Sequence, residues 1–283
     1  MIRLAVRVER AHSEQALGEL LAFSPAGLEE VDVDAQIVEY VLYGAAGELP
    51  SLPTLEARVG EALVTVSTSE IADDWPERWR SFHQPILVGG RLRVRAPWHE
   101  PASGTLDIVI DPGQAFGTGA HATTRLCLEL LLELERAGRA SGPLLDIGCG
   151  SGVLAIAAAK LGFAPVIALD YDPACIEASA DNAAANGVSL EIRQTDLRND
   201  VLPPAPAIVA KLLLAPLLEL SRRLAPPPRI LIASGLLRAQ GDELAAELSA
   251  RHGLSETDRR VDGDWISMLF AAADPGVSSS RGR

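Results

Sequence analysis

The residues with most capacity for chemistry lie in Asp146-Ile147-Gly148-Cys149-Gly150-Ser151-Gly152, one carboxylate followed by three glycines at alternate positions. An apolar run, "PLLDIG", enters this stretch and a helix-like run, "SGVLAIAAAKLG", leaves it. Glycine suits a strand-to-helix turn because it accepts positive φ, and because its missing Cβ lets a ligand approach the backbone. Asp170 closes the next apolar run, roughly 20 residues beyond Gly150, the spacing at which a carboxylate accepts hydrogen bonds from a ribose diol. Asp196 ends a third run and is placed to accept from an adenine amino group, or to be a lone surface aspartate.

Two ligand classes compete for such a site, beside the plain reading of a tight turn with no ligand. Dinucleotide sites use G-x-G-x-x-G with the pyrophosphate on the helix N-terminus. Here the third glycine comes one residue early and the run opens on Asp146. A carboxylate there repels pyrophosphate and attracts the ammonium of an amino-acid moiety. The sign of that charge favours S-adenosylmethionine over NAD.

A second glycine-rich loop precedes the first, in residues 111–131, "DPGQAFGTGAHATTRLCLELL". Phe116, Gly117 and Thr118 are candidates to close over the methionine end of that ligand. Thr123 and Thr124 could cap the following helix or touch the ligand. His121 reads better as a local hydrogen-bonding residue than as a base, and His83 and His99 as linker structure.

The elements that must position these residues follow from pattern. Residues 1–69 read β-α-β-β-α-β, with Ser13 as the cap of the first helix; this is the ferredoxin-like order. Residues 70–100 read as a linker carrying Trp75 and Trp79, four apart, with Pro76 in a first helical turn. Residues 101–274 alternate strand and helix, which predicts an open, mainly parallel sheet covered on both faces, of the Rossmann-like kind. Its helices close on Gly162 and Gly187, and one opens on Pro173. Residues 275–283 read as a disordered tail. The fold class expected is therefore α/β, with a small α+β domain in front.

The 283 residues carry a net charge of −13, which weighs against unaided binding to nucleic acid or an anionic membrane and suits a basic protein partner. Cys127, Cys149 and Cys175 have no metal-ligand spacing, and no cluster of ligands suggests a metal. No stretch has the length of a membrane span, and the opening residues lack the apolar core of a signal peptide. A cytoplasmic protein is expected.

Residues 111–131, "LLDIGCGSGVLAIAAAKLG" and "ALDYDP" together resemble the bacterial ribosomal-protein methyltransferases of the PrmA family, and "DDWPERWRSFHQP" and "APWHEP" are similar to that family's linker. The resemblance covers nearly the whole chain. It implies a class I methyltransferase domain behind a substrate-recognition module. It also implies transfer of methyl groups from S-adenosylmethionine to lysine or N-terminal amines of large-subunit ribosomal protein L11, free or on the ribosome. The cofactor contacts it implies fall on Thr124, Gly148 and Asp170, with Asp146, Gly150, Phe116, Gly117, Thr118 and Asp196 around them. One position departs: where the family has asparagine after the fourth strand, this sequence reads "VAKLLLAPLLEL", with Lys211. Asparagine offers an acceptor; lysine has only donors. Three further readings stay open: a same-fold methyltransferase with another protein or small-molecule substrate, an impaired module that binds S-adenosylmethionine without turnover, and a nucleotide oxidoreductase.

Overall fold

The structure is a computed structural model and describes residues 2–21, 23, 28–34, 36–44, 49–70, 83–112 and 119–272. Phe116, Gly117, Thr118, Trp75, Pro76, Trp79 and the tail 275–283 therefore lie outside the described residues. The chain divides into two compact units, Met1–Gln84 with Pro112–Phe116, and Pro85–Asp111 with Gly117–Arg283. The second unit thus begins inside the span read from sequence as a linker.

The first unit runs β1 (Ile2–Glu9), α1 (Ser13–Leu21), β2 (Leu28–Asp32), β3 (Ile37–Gly44), α2 (Leu52–Val59) and β4 (Leu63–Glu70). Its four strands lie in the order β2-β3-β1-β4, every neighbouring pair antiparallel. Alternation along β1 turns Leu4, Val6 and Val8 inward, where they meet Leu17, Leu20, Leu55 and Val59 from the two helices. On the same sheet Glu39 is nearly buried between Arg3 and Arg7, at 2.6 and 2.8 Å, and the two guanidiniums hold its carboxyl below the usual range. Ser13 is not the helix cap expected from sequence. It ends a short 3-10 turn, and its hydroxyl donates to the Arg10 carbonyl rather than accepting from the helix.

In the second unit β5 (Ile86–Val88), β6 (Leu92–Arg95) and β7 (Leu106–Val109) make a small sheet. The main sheet has seven strands: β8 (Leu144–Ile147), β9 (Val166–Asp170), β10 (Glu191–Gln194), β11 (Ala207–Lys211), β12 (Ile230–Leu237), β13 (Leu254–Asp262) and β14 (Trp265–Ala272). Their order is β10-β9-β8-β11-β12-β14-β13; the first five run parallel, and β14 is antiparallel to both of its neighbours, β12 and β13. The helices are α3 (Ala122–Arg136), α4 (Val153–Leu161), α5 (Pro173–Ala185), α6 (Leu214–Arg223) and α7 (Gly241–His252).

Strands buried on both faces need apolar residues throughout, and β8 is buried at all four positions. Odd and even residues of each strand then feed two separate cores. Leu144, Ala168, Val209 and Ile232 pack with α3 and α4, while Leu145, Leu169, Ile208 and Leu231 pack with α6 and α7. Helix α3 alone buries Leu126, Leu128, Leu130, Leu131, Leu132 and Leu134, each worth about 1.5–3 kcal/mol of transfer free energy. Both edge strands are studded with charge: Arg193 pairs with Glu191 on β10, and on β13 Arg259 pairs with Glu256 and Arg260 with Asp258.

Candidate functional site

Strand order reverses between β8 and β11, and the crevice at such a point, beyond the carboxyl ends of the strands, is where open α/β sheets bind ligands. Two loops meet there. After β8 the chain turns through Gly148, Gly150 and Gly152 at φ of 75°, 54° and 80°. The turn is pinned to β9: Gly148 and Cys149 donate their N–H groups to the Leu169 carbonyl at 2.8 and 3.1 Å. A Cβ on Gly148 would stand 2.6 Å from Leu212 Cδ2 and 3.2 Å from the Lys211 carbonyl, so the backbone after β11 closes directly onto this glycine.

Asp146 lies on the α3 side of the sheet, paired across to Val209 and Ala168, and is fully buried. Neither carboxylate oxygen has a hydrogen-bond partner. Burial pushes its pKa up to about 7, against the opposing pull of Lys211 and of the Ala155 N–H. Thr124, also buried, leaves its Oγ1 without a partner in the same region. Orphaned buried acceptors and hydroxyls are uncommon in native proteins and ask for an explanation. A bound ligand with an ammonium and further polar groups supplies one.

Asp170 ends β9 and is tied to the turn. Its Oδ2 accepts from the Gly150 N–H at 2.9 Å and its Oδ1 from the Asp172 N–H at 3.1 Å. Each oxygen keeps a further lone pair for a ligand hydroxyl. Asp196 is exposed, and its two oxygens accept from the Arg198 N–H and the Asn199 amide, which hold its pKa low.

Helix α3 begins beside this crevice. The expectation that Thr123 or Thr124 caps it is not met: the N-cap is His121, whose Nδ1 accepts from the Thr123 N–H at 3.3 Å. Both threonines are helical residues instead, placed by the phase of the first turn. His121 also packs edge-on against Trp265, centroids 4.9 Å apart. Burial first, then the charges of Lys211 and Arg125, push its pKa down to about 4, so it is neutral near pH 7. Lys211 ends β11 opposite Ser234. It keeps some exposed surface, yet protein surrounds its ammonium closely enough that burial lowers its pKa, opposed by Cys127, Asp146, Asp170 and Cys175.

Four polar residues of the site were not singled out in the sequence. Ser179 donates to the Gly150 carbonyl at 2.8 Å, and Asn182 donates to the Ser151 carbonyl while accepting from the Asp111 N–H, both at 2.9 Å. Asn186 clasps both backbone groups of Val109. One α5 face thus holds the first glycine turn and the approach to the second loop. Asparagines four apart in "DNAAAN" were the available signal. The fourth residue, Ser234, bonds to Ser267 and to the Ile266 carbonyl beneath Lys211.

A model of the family described as "Ribosomal protein L11 methyltransferase (PrmA)" matches residues 10–273. The chain belongs to this family. It is similar to the ribosomal protein L11 methyltransferase of Symbiobacterium thermophilum, 38% identical over 70% of this chain and 65% of that protein. Its likeness to the one from Azotobacter vinelandii is 42% over 68% of this chain and 66% of that one. The matched part therefore spans just under two thirds of those relatives' length. Among solved structures, the ribosomal protein L11 methylase of Lactobacillus delbrueckii subsp. bulgaricus superposes with a TM-score of 0.60 at 31% identity, over 66% of this chain and 98% of that one. Lys211, expected from the sequence to stand where the family has asparagine, is the last residue of β11. Among the described residues no group of side chains could hold a metal ion, and no helix is long and apolar enough to cross a membrane.

Proposed function

We propose that the chain is an S-adenosylmethionine-dependent protein methyltransferase that modifies amines of large-subunit ribosomal protein L11 in the cytoplasm. The observation that carries this reading is the pairing of a glycine turn, on which Leu212 and the Lys211 carbonyl close at Gly148, with a buried Asp146 carboxylate that no hydrogen bond satisfies beside it. A carboxylate in that place attracts the amino-acid ammonium of S-adenosylmethionine and opposes a diphosphate, which disfavours a nicotinamide dinucleotide. Thr124 Oγ1 takes a further polar group of that end, against the open face of the Gly148 turn, and Asp170 takes the ribose diol. Phe116, Gly117 and Thr118 cover the methionine end, and Asp196 serves the adenine. The four-stranded first unit is the ferredoxin-like module that grips the substrate protein.

S-adenosylmethionine supplies a methyl group on a positive sulfur, ready for in-line displacement. The chain's contribution is to hold an acceptor amine in line and keep water out. That amine must be neutral. Losing a proton at pH 7 costs a free lysine of pKa ~10.4 roughly 4.6 kcal/mol, and an α-amine near ~7.8 about 1 kcal/mol. The positive charge of Lys211, next to the site, lowers the pKa of an approaching amine, and by the same field slows its approach. Lysine at this position also supports a second reading, a donor-binding module with weak transfer, because the acceptor that would orient the amine is gone.

The two separate by experiment. Calorimetry should register S-adenosylmethionine and not NAD, and donor at 100 times its Kd should stabilise the fold by about 2.7 kcal/mol. Labelled donor should then mark purified L11, and Lys211→Asn should change the rate. A large gain identifies an impaired enzyme, a loss an activating lysine. Binding of NAD alone would end the proposal.

A further inference from the structure

We propose that Lys211 is itself a methyl acceptor, and that the chain transfers a methyl group from its own bound sulfonium donor to the Lys211 Nζ. This rests on the donor-binding reading above and goes beyond it, since no ribosomal substrate takes part.

Position is the first support. Lys211 is the last residue of β11, at the reversal of strand order, and its carbonyl lies 3.2 Å from where a Gly148 Cβ would be. Direction is the second. Ala207 and Val209 belong to the core on the α3 side of the sheet, and strand alternation carries Lys211 to the same face as Asp146. Its charge reaches Asp146, and Cys127 and His121 of the α3 segment as well.

Composition is the third. The chain has two lysines against twenty-three arginines. A guanidinium does not give up its proton near neutrality, whereas a buried lysine amine does. The other lysine, Lys160, donates to the Asp107 carbonyl at 2.7 Å from α4. Among the groups whose charge bears on Lys211 are Asp146, Asp170, Cys127 and Cys175, and its own charge bears on His121. Burial prevails over their net pull and lowers the amine's pKa below that of a free lysine.

The step balances without further reactants. The Nζ lone pair forms a bond to the methyl carbon as the carbon–sulfur bond breaks, its electron pair staying on sulfur to leave a neutral thioether. The methylated nitrogen takes over the positive charge that sulfur gives up, so the neutral amine needs no base and no proton leaves in the transfer. A methylated Lys211 is cationic and fills more of the space in which a substrate amine must sit.

The test uses the purified full chain and deuteromethyl-labelled S-adenosylmethionine, with no ribosomal protein. Cleavage at arginine releases residues 199–222, in which Lys211 is the sole lysine. Label is expected on Lys211 and absent from Lys160, at a rate per molecule unchanged by dilution. Lys211→Arg should abolish it and Lys160→Arg should leave it intact. A second readout needs no turnover: saturating demethylated donor should slow acylation of Lys211 by an amine reagent about tenfold or more and leave Lys160 unaffected. Unmodified Lys211 in a chain that binds the donor overturns the inference and leaves the proposed function standing, as do equal acylation with and without ligand or a rate that rises with protein concentration. A chain that binds no donor removes both.

Discussion

His121 combines two roles in one ring. It caps α3 through Nδ1 and sits neutral against Trp265, with its pKa pushed down to about 4. A folded-state pKa below the ordinary 6.5 means that the native state disfavours the protonated form. The stability this contributes is full above about pH 6.5 and is lost as pH falls through about 4, a swing on the order of 2–3 kcal/mol. His121→Asn keeps a good capping side chain and removes the titration, so urea unfolding from about pH 7 to 4 should show a flatter acid limb than the parent. Thr124 gives the opposite kind of experiment. Its Oγ1 has no partner in the protein, so Thr124→Val should leave the fold as stable or more so, while donor affinity falls about five- to tenfold for one lost hydrogen bond. Calorimetry and thermal unfolding on the same sample separate the two effects.

At the scale of elements the glycines differ in what they guard. A Cβ on Gly148 meets the end of a leucine side chain, which can shift, whereas one on Gly235, at φ 90°, would stand 2.5 Å from the Leu212 carbonyl oxygen, which cannot. Gly235→Ala should therefore cost more, on the order of 2–4 kcal/mol against about 1–2 for Gly148→Ala, read from denaturant midpoints. Gly148→Ala should be the more damaging to donor binding, since it stands in the cradle itself. The strand–helix alternation, the glycine turn and the placement of Asp146, Asp170 and Lys211 at strand ends were legible because buried parallel strands write themselves as unbroken apolar runs. Strand β13 was not, because "LSETDRRVD" is polar and takes its place from the apolar partner β14. Nor was the cap of α3: threonine is the stronger capping residue by type, but with His121 as the cap the helix starts two residues earlier than a Thr123 cap would give. Asn182 and Asn186 were missed because their partners, Ser151, Val109 and Asp111, are far away in sequence and only the fold brings them together.

Over the whole molecule the dominant quantity is charge. At −13 net, attraction to the basic protein partner proposed above would act mainly through the encounter rate. Association should slow by at least about tenfold between low and physiological salt as the Debye length contracts to ~8 Å. Stopped-flow mixing with L11 across a salt series measures this, and a flat response would show that charge does not steer the encounter. The distribution of that charge matters as much as its sum. The seven-stranded sheet is open, so the outer backbone groups of β10 and β13 are a template onto which another copy could add its own strand. Glu191 and Arg193 on one margin, and the dense run from Glu256 to Arg260 on the other, make such stacking electrostatically awkward unless two copies happen to align opposite signs. The charge on these margins therefore opposes pairing of the largest sheet between copies, and replacing those side chains with valine and threonine should raise light scattering across a concentration series relative to the parent.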